Sequence, residues 1–267
     1  MDVRGKVILI TGGARGIGAA IARRVAVEGA AAIGIADLDV AAAQAMAAEL
    51  GGQGAKTAHI RVDVSDEAQV HDMIQRTEEE LGPIDLMCSN AGIYVARDGE
   101  PTDADWAKNW SINVMSNVYV ARAIVPRMLA RGKGYLLMTC SAAGLLANAE
   151  APYMVSKHAA VAFAEWLAIN YRSRGITVSA LCPLGVRTDM LTRPMAEGNA
   201  AIAGVLAGGN VLEPEDVADA VMRGLAAERF LILPHEEVRE RIVRKAQDRD
   251  AWITTMERQY SIAGGTH

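Results

Sequence analysis

The sequence predicts an α/β fold in which a parallel sheet is covered by helices on both faces. Short runs of apolar and β-branched residues alternate with longer helical patterns along the chain. Each apolar run is continuous, which is typical of strands that are buried on both faces. The alternation reaches a seventh run without a linker or a shift in composition. A chain of 267 residues with 51% hydrophobic residues can therefore form one large domain with a substantial core.

The first strand and helix enclose a glycine-rich turn. Lys6–Thr11 is the first predicted strand, and an Ala-rich helix extends to about Gly29. Between them lie glycines in a Gly-x-x-x-Gly-x-Gly spacing, namely Gly12, Gly16 and Gly18. Such glycines permit a tight turn and let the helix N-terminus bind an anion. A flexible loop is the alternative, but the position between strand and helix favours phosphate binding.

The later elements continue the same alternation. Six further strands are predicted at Ala31–Ala36, Lys56–Val62, Ile84–Ser89, Gly134–Cys140, Ile176–Cys182 and Phe230–Leu233. Helical patterns occupy Asp39–Leu50, the stretch after the third strand, 103–131, 150–174 and Pro214–Ala227. Ser65 is expected to cap the helix after the third strand, because acidic residues follow it in the first turn.

Two segments fall outside this alternation. Thr188–Val211 is a long loop that carries apolar side chains, so we expect it to form a lid over an apolar ligand; a loop packed on its own domain is the alternative. His235–Tyr260 is a charged helical pattern that either docks on its own chain or contacts a partner. We therefore divide the chain into a catalytic domain at 1–234 and a helical extension of that domain at 235–267.

Composition excludes several classes of function. The formal charge is −5 and the estimated pI is about 5.6, and without a basic stripe we expect no nucleic-acid partner. The cysteines lie inside apolar runs without metal-ligand spacing and predict buried thiols in a reducing compartment. Neither the N-terminal run nor any later stretch is long and apolar enough for a membrane span. We therefore expect a cytoplasmic protein with no metal site and no membrane partner.

The chemistry is predicted to centre on Ser141, Tyr153 and Lys157. On a helix, Tyr153 and Lys157 lie one turn apart on the same face. Free tyrosine, with a pKa of about 10, is a poor base near neutral pH, and a nearby ammonium group favours the phenolate. The pair is thus a candidate general acid and base, and Ser141 is placed to bind the reacting oxygen. A surface tyrosine beside a lysine is the alternative if the spacing is taken alone.

Strand-end residues indicate which nucleotide is bound. Asp37 ends the second strand, 19 residues after Gly18, where a carboxylate can accept hydrogen bonds from an adenosine ribose. The same carboxylate would repel a 2′-phosphate, whereas Arg15 could pair with one. We predict NAD rather than NADP, with a helix cap as the alternative role of Asp37. Two further strand ends are expected to line the nucleotide, at Asp63-Val64 and at Asn90-Ala91-Gly92.

Taken together, these residues resemble the short-chain dehydrogenase/reductase family. The motifs occur in the family's order from residue 5 to about 233: TGGARGIG, Asp63-Val64, Asn90-Ala91-Gly92, Asn113, Ser141 and Tyr153-x-x-x-Lys157. The resemblance implies a single Rossmann-type, doubly wound domain with a seven-stranded parallel sheet, a nicotinamide cofactor and a homotetramer.

The resemblance also implies a role for each motif residue. Tyr153 is the acid/base, Lys157 holds the nicotinamide ribose and Ser141 binds the substrate oxygen. Asn113, in a locally disturbed helix, helps to hold a water for proton relay; a polar core residue bonded to backbone is the alternative. The cofactor-binding set implied is Gly12, Arg15, Gly16, Ile17, Gly18, Asp37, Asp63, Val64, Asn90, Ala91, Gly92, Tyr153, Lys157, Pro183, Val186 and Thr188.

Two departures from the family pattern lie near the expected site. Leu184 occupies the position of a glycine that usually follows Pro183, so the backbone beside the nicotinamide is expected to run differently. The interval from Ser141 to Tyr153 is one residue shorter than usual, so the loop at 144–152 is expected to be tighter. Neither departure removes a chemical group from the predicted machinery.

The sequence therefore predicts an NAD-dependent oxidoreductase that interconverts a secondary alcohol and a ketone. The apolar substrate, which could be cyclic or steroid-like, is expected to contact Ser141, Tyr153, Ile93, Tyr94, Leu145, Leu184 and Met190. One alternative is an NADPH-dependent reductase of ketones or carrier-bound 3-oxoacyl groups, and another is a regulatory protein that binds the cofactor without turnover. The long helices at 103–131 and 150–174 are apolar enough to predict a homo-oligomer.

Overall fold

The computed structural model of the chain describes residues 1–95, 100–147, 149–196 and 211–262. Seven strands of this part form one parallel sheet in the order β3-β2-β1-β4-β5-β6-β7. The strands are β1 Val7–Thr11, β2 Ala32–Asp37, β3 Lys56–Arg61, β4 Leu86–Ser89, β5 Gly134–Thr139, β6 Ile176–Leu181 and β7 Leu231–Ile232. The predicted doubly wound, seven-stranded fold is thus confirmed, with a seventh strand shorter than expected.

Helices follow the strands and cover the sheet. They are α1 Gly16–Val27, α2 Val40–Gly51, α3 Glu67–Leu81, α4 Asp103–Trp110, α5 Ser116–Arg131, α6 Ala151–Tyr171, α7 Asp189–Ala196, α8 Pro214–Ala226, α9 Glu237–Gln247 and α10 Arg249–Ile262. A π-helical turn, Ser111–Met115, separates α4 from α5. The helical region expected at 103–131 is therefore interrupted near its centre.

The core consists of two layers because the central strands are buried on both faces, whereas β3 at the sheet edge exposes Lys56, His59 and Arg61. Ile8 and Ile10 of β1 pack on one face together with Ile21 of α1, and Leu9 packs on the other with Met73 of α3. All five side chains are fully buried. Burial of one such side chain is worth about 1.5–3 kcal/mol, so continuous apolar runs stabilise the sheet from both sides.

The strand order reverses at β1, which pairs with β2 on one side and β4 on the other. At such a reversal the loops after the two central strands diverge and leave a crevice at the carboxyl ends. The glycine turn after β1 and Asn90 after β4 therefore lie next to each other at this crevice. The topology alone brings these two motifs together.

One helix cap differs from the prediction. Asp66, not Ser65, caps α3, since its side chain accepts hydrogen bonds from the N–H groups of Ala68 and Gln69. The Ser65 hydroxyl instead donates to the carboxylate of Asp63 at 2.6 Å. The bond from Ser65 to the Asp63 carboxylate stabilises the turn after β3. Ser65 therefore does not cap α3, and Asp66 does.

The helical extension docks on its own chain. Val238 of α9 is fully buried against Ala142 and Leu146, in the loop after β5. Lys245, also largely buried, donates from Nζ to the carbonyl oxygen of Leu145 at 2.7 Å. Burial lowers the pKa of Lys245, and the charge of nearby Arg249 lowers it further. The extension was expected either to dock on its own chain or to contact a partner, and α9 docks on its own chain.

The three cysteines are buried and free of disulfide bonds. Burial raises the pKa of the Cys88 thiol, which keeps it protonated in the core. Across the described ranges, every helix is too short or too polar to traverse a lipid bilayer.

Candidate active site

A cleft of about 840 Å³ opens along the carboxyl ends of the strands. It extends from the glycine turn and Asp37 at one end to Ser141, Tyr153 and Lys157 at the other. Its volume falls in the range of small-molecule and cofactor sites. Residues distant in the sequence thus meet in one continuous cavity.

The glycine turn is built for close backbone approach. Gly12 and Gly16 both have positive φ, +60° and +53°, which L side chains rarely adopt. A Cβ on Gly18 would lie 2.1 Å from the carbonyl oxygen of Gly12, so only glycine fits where α1 crosses the turn. Gly18 therefore shapes the turn without lining the cleft itself.

The N-terminus of α1 fits a phosphate group. Arg15 precedes the helix but gives no side-chain hydrogen bond to its first turn. The first N–H groups of a helix have no intrahelical partner, and they attract anions when no side chain caps them. The predicted anion site is thus open towards the cleft at Gly16 and Ile17.

Asp37 lies on the cleft and is oriented by backbone donors. Its carboxylate accepts the N–H of Ala14 at 3.2 Å and the N–H of Asp39 at 3.1 Å. The cap of α2 is Asp39, which accepts the N–H of Ala42. The alternative role of Asp37 as the helix cap is therefore wrong. Arg15 forms an exposed ion pair with Asp39.

Asn90 connects the glycine turn to two strands. Its Nδ2 donates to the carbonyl oxygens of Thr11 and Gly12, at 3.1 and 3.2 Å. The Thr139 hydroxyl donates to its Oδ1 at 3.0 Å. The side chain thus braces β1 and β5 while it borders the cleft, as predicted for this strand end.

Tyr153 and Lys157 lie one turn apart on α6, as the spacing predicts. The Lys157 Nζ lies 5.7 Å from the centre of the Tyr153 ring and donates to the carbonyl oxygen of Thr139 at 3.2 Å. Lys157 is only 4% exposed, so its charge acts inside the cleft with little screening by solvent. Tyr94 packs edge-on against Tyr153, with ring centres 5.0 Å apart.

Ser141 borders the same end of the cleft at the start of a 3-10 turn, Ala142–Gly144. Its Oγ accepts the N–H of Ala143 at 3.1 Å, which orients the hydroxyl. A Cβ on Gly144 would lie 2.5 Å from the carbonyl oxygen of Lys157, so a glycine is needed for this loop to approach α6. The glycine holds the Ser141 loop against the helix that carries Tyr153.

Asn113 is buried in the π-helical turn and does not line the cleft. Its side chain accepts the N–H of Ile93 and donates to the carbonyl oxygen of Ile93, both at 3.0 Å. It also donates to the Ser156 hydroxyl at 3.1 Å, and its own carbonyl accepts from Asn117 at 2.8 Å. The residue therefore links α6 to the segment that carries Tyr94.

The cleft collects most of the predicted site residues and omits three. Gly18 and Asn113 support it from behind, whereas Leu145 packs towards Val238 of α9. Those that line it are Gly12, Arg15, Gly16, Ile17, Asp37, Asp63, Val64, Asn90, Ala91, Gly92, Ile93, Tyr94, Ser141, Tyr153, Lys157, Pro183, Leu184, Val186, Thr188 and Met190. The predicted lid at 188–211 is described only up to Ala196, and 197–210 lie outside the described residues.

Several lining residues were not predicted. They include Leu38, Ile112 and Thr139. The position of Thr139 at the end of β5 is a signal that could have found it, since the other strand ends were used in this way. No group of three His, Cys, Asp or Glu side chains within the described ranges could hold a metal ion.

Comparison with known proteins identifies the family. A family model described as short chain dehydrogenase matches residues 6–197. The chain is 35% identical over 262 residues to 1-deoxy-11-beta-hydroxypentalenate dehydrogenase of Streptomyces exfoliatus, covering 94% of this chain and 90% of the relative. It is 31% identical over 225 residues to 3-oxoacyl-acyl-carrier-protein reductase of Escherichia coli K12, covering 83% and 90%.

A solved structure agrees with this assignment. A short chain dehydrogenase/reductase from Burkholderia phymatum, in complex with NAD, superposes with a TM-score of 0.84 at 29% identity, covering 94% of this chain and 96% of that one. The chain belongs to the short-chain dehydrogenase/reductase family. It is an oxidoreductase that acts on CH–OH groups, and the family binds NAD or NADP.

Proposed function

We propose that this protein is an NAD-dependent oxidoreductase that interconverts an apolar secondary alcohol and its ketone. One observation carries the proposal: Asp37 and the Tyr153–Lys157–Ser141 group occupy opposite ends of one cleft. Asp37 ends β2 and Ser141 follows β5, three strands further along the sheet, so a bound dinucleotide would place its adenosine at Asp37 and its reactive ring near Tyr153. The bound cofactor would accept or donate the hydride.

The residues of the protein exchange the proton with the substrate and hold the substrate in position. Tyr153 exchanges a proton with the substrate oxygen, and Ser141, held by the Ala143 N–H, hydrogen-bonds to the same oxygen. Lys157 holds the ribose next to the reacting ring, from a position fixed by its bond to the carbonyl oxygen of Thr139. Asn113 keeps the π-helical turn and the Ile93 segment in register with α6, and so supports the wall of the cleft beside Tyr153.

The preference for NAD rests on how Asp37 and Arg15 are held. Two backbone N–H groups fix the Asp37 carboxylate at the edge of the cleft, where it would meet the ribose hydroxyls. Arg15, the one cation of the glycine turn itself, is paired with Asp39. An exposed ion pair of this kind is worth only about 0–1 kcal/mol, so it reduces rather than abolishes the attraction of Arg15 for a phosphate.

The apolar substrate is supported by the lining at the Tyr153 end. Ile93, Ile112, Leu184 and Met190 line this part of the cleft, and Leu191 beside them is buried. Such side chains favour a hydrocarbon skeleton over a charged one. The name of the relative from Streptomyces exfoliatus, a hydroxypentalenate dehydrogenase, agrees with a hydroxyl group as the site of reaction.

A second candidate is an NADPH-dependent reductase of ketones or carrier-bound 3-oxoacyl groups. Arg15 on the cleft wall and the similarity to a 3-oxoacyl reductase favour it. Asp37 opposes it, because the carboxylate would face the extra phosphate. A regulatory protein without turnover is less well supported, since Ser141, Tyr153, Lys157 and Asn113 are all retained.

Asp37→Ser is expected to shift the cofactor preference towards NADP. Like charges about 4 Å apart cost roughly 4 kcal/mol at an effective dielectric of 20, of which solvent and Arg15 screen part. A net penalty of about 2–3 kcal/mol predicts a wild-type preference for NAD of about 30- to 150-fold. The ratio of kcat/KM for the two cofactors, measured for both proteins, should fall by most of that factor in the variant.

Asp39→Asn is the matched control for this measurement. Asparagine still caps α2 but no longer carries the charge that pairs with Arg15. A smaller gain of NADP activity, less than about tenfold, is expected from the released arginine. A wild-type preference for NADP, or an equal shift in both variants, would show that Asp37 does not select the cofactor.

We also propose that the protein is a homo-oligomer of two-fold type, and the resemblance to the family favours a tetramer. One side of α6 packs on the sheet through Ala160, Ala164 and Leu167, which are buried. The outer side exposes Trp166 by 51% and Ile169 by 73%. Trp106 and Trp110 of α4 are also partly exposed, and large exposed apolar groups on neighbouring helices are typical of interfaces. A stable monomer at micromolar concentration in light scattering would contradict this proposal.

A further inference from the structure

His235 binds the backbone of a loop at the reactive end of the cleft, which is the end that holds Ser141, Tyr153 and Lys157. The loop is Pro183–Gly185, directly after β6, and all three of its residues line the cleft. His235 Nδ1 accepts the N–H of Leu184 at 3.2 Å, and Nε2 lies 3.1 Å from the carbonyl oxygen of Gly185. Because Nδ1 faces a donor and Nε2 faces an acceptor, the ring is a neutral imidazole with its hydrogen on Nε2.

The contact is built into the interior of the protein. His235 is 2% exposed and begins the extension beyond β7. It reaches back 51 residues to Leu184. A buried side chain that bonds to the N–H of Leu184 and the carbonyl oxygen of Gly185 holds the peptide groups on both sides of the Leu184–Gly185 bond. The contact therefore specifies the path of the loop.

The loop is the one in which Leu184 replaces the family's usual glycine. Among the described residues, only Glu228 combines a side chain with a positive φ, so Leu184 has ordinary backbone geometry. The loop thus makes its turn without the conformational freedom of glycine at this position. The two bonds from His235 hold the loop at this position from outside it.

The loop lies at the reactive end of the cleft. The N–H of Ala142, next to Ser141, donates to the carbonyl oxygen of Pro183 at 2.8 Å. Any movement of Pro183–Gly185 would therefore alter the space beside Ser141 and Tyr153. If the proposed function is correct, this space holds the nicotinamide, whereas the adenosine lies at the distant Asp37 end.

We propose that His235 is a positioning residue that holds the Pro183–Gly185 loop in the shape that binds the nicotinamide half of the cofactor. The inference rests on the proposed function but concerns a residue outside the family motifs. It separates the two halves of the cofactor: contacts to the nicotinamide depend on His235, and contacts to ADP-ribose do not. This separation gives a binding test that needs no substrate.

The first variant is His235→Phe, which keeps an aromatic ring and removes both hydrogen bonds. The Kd of NAD, measured by calorimetric titration, is expected to rise about tenfold or more. The Kd of ADP-ribose, which lacks the nicotinamide, is expected to change by less than about twofold. Leu225→Ala is the control, since it removes a fully buried side chain of α8 away from the cleft and should affect the two ligands equally.

Two conservative variants refine the test and replace the first if it does not fold. His235→Asn can place an oxygen near Nδ1 to accept the Leu184 N–H, and His235→Gln can place an amide near Nε2 to donate to Gly185. The Gly185 oxygen also accepts the N–H of Leu212 at 3.1 Å, so it keeps a partner in every variant. Asparagine is therefore expected to restore more of the NAD affinity than glutamine.

The outcomes separate this inference from the proposed function. Equal losses for NAD and ADP-ribose, or an unchanged Kd of NAD in His235→Phe, would overturn the positioning role while the proposed function stands. Greater rescue by glutamine than by asparagine would also contradict the assigned roles of the two ring nitrogens. If wild-type protein binds ADP-ribose and NAD with the same Kd, so that the nicotinamide adds no affinity, both proposals would be overturned.

Discussion

Replacing Tyr153 with phenylalanine is expected to lower kcat by about 10²–10⁴-fold, the usual contribution of general acid–base catalysis. The ring of phenylalanine preserves the edge-on contact with Tyr94 and the position above Lys157. Only the hydroxyl that exchanges the proton is lost. The expected result is therefore a catalytic defect with little change in folding or in the Kd of NAD.

Tyr171→Phe is the matched control for this experiment. Tyr171 ends the same helix, contacts Trp166 and Arg174, and does not line the cleft. Its variant should keep wild-type kcat in the same assay. Wild-type turnover in Tyr153→Phe would remove Tyr153 from the chemistry and leave the cleft without its proposed acid and base.

Lys157→Met is expected to reduce both NAD affinity and kcat. Methionine fills similar space, but it lacks the ammonium that donates to the Thr139 carbonyl and that we propose holds the ribose. Hydrogen bonds to charged groups contribute about 1.5–3 kcal/mol, so the Kd of NAD should rise by about 10- to 150-fold. The fall in kcat adds to this, because a ribose that is no longer held leaves the reacting ring poorly placed beside Tyr153.

Titration of NAD and steady-state kinetics on the same preparation separate the two effects. Lys133→Met, which removes an exposed lysine, serves as the control and should change neither quantity. A loss of kcat with an unchanged Kd of NAD would mean that Lys157 does not contact the cofactor. An unchanged kcat in Lys157→Met would mean that Lys157 does not contribute to the reaction at Tyr153.

The sheet could be predicted from the sequence because most of its strands are buried on both faces. The run of β1 is apolar up to the buried Thr11 at its end, and this pattern leaves few alternatives. It is harder to predict from sequence which of two neighbouring residues takes a local role such as a helix cap. Ser65 and Asp66 are both good helix caps, and the hydroxyl of Ser65 bonds to Asp63 only because the turn after β3 brings the two together.

The ends of the strands predict much of the site, since the topology of a parallel sheet brings them to one edge. Contacts between distant loops could not be predicted, because no local sequence pattern encodes them. Asn113 was noticed as an unusual helix residue, but its bonds to Ile93 depend on how the chain folds back over 20 residues. Leu145 is predicted to contact the substrate, but it packs towards Val238 of α9, a contact that joins residues far apart in the chain.

The most direct test of the proposed function is to incubate the protein with NAD and a panel of apolar secondary alcohols, including cyclic ones, and to follow reduced nicotinamide by absorbance. The corresponding ketones with NADH test the reverse direction. Our account predicts turnover of at least one such pair, faster with NAD than with NADP and lost in Tyr153→Phe. Turnover that requires NADP, or no turnover of any alcohol or ketone in either direction by a protein that binds NAD, would contradict it.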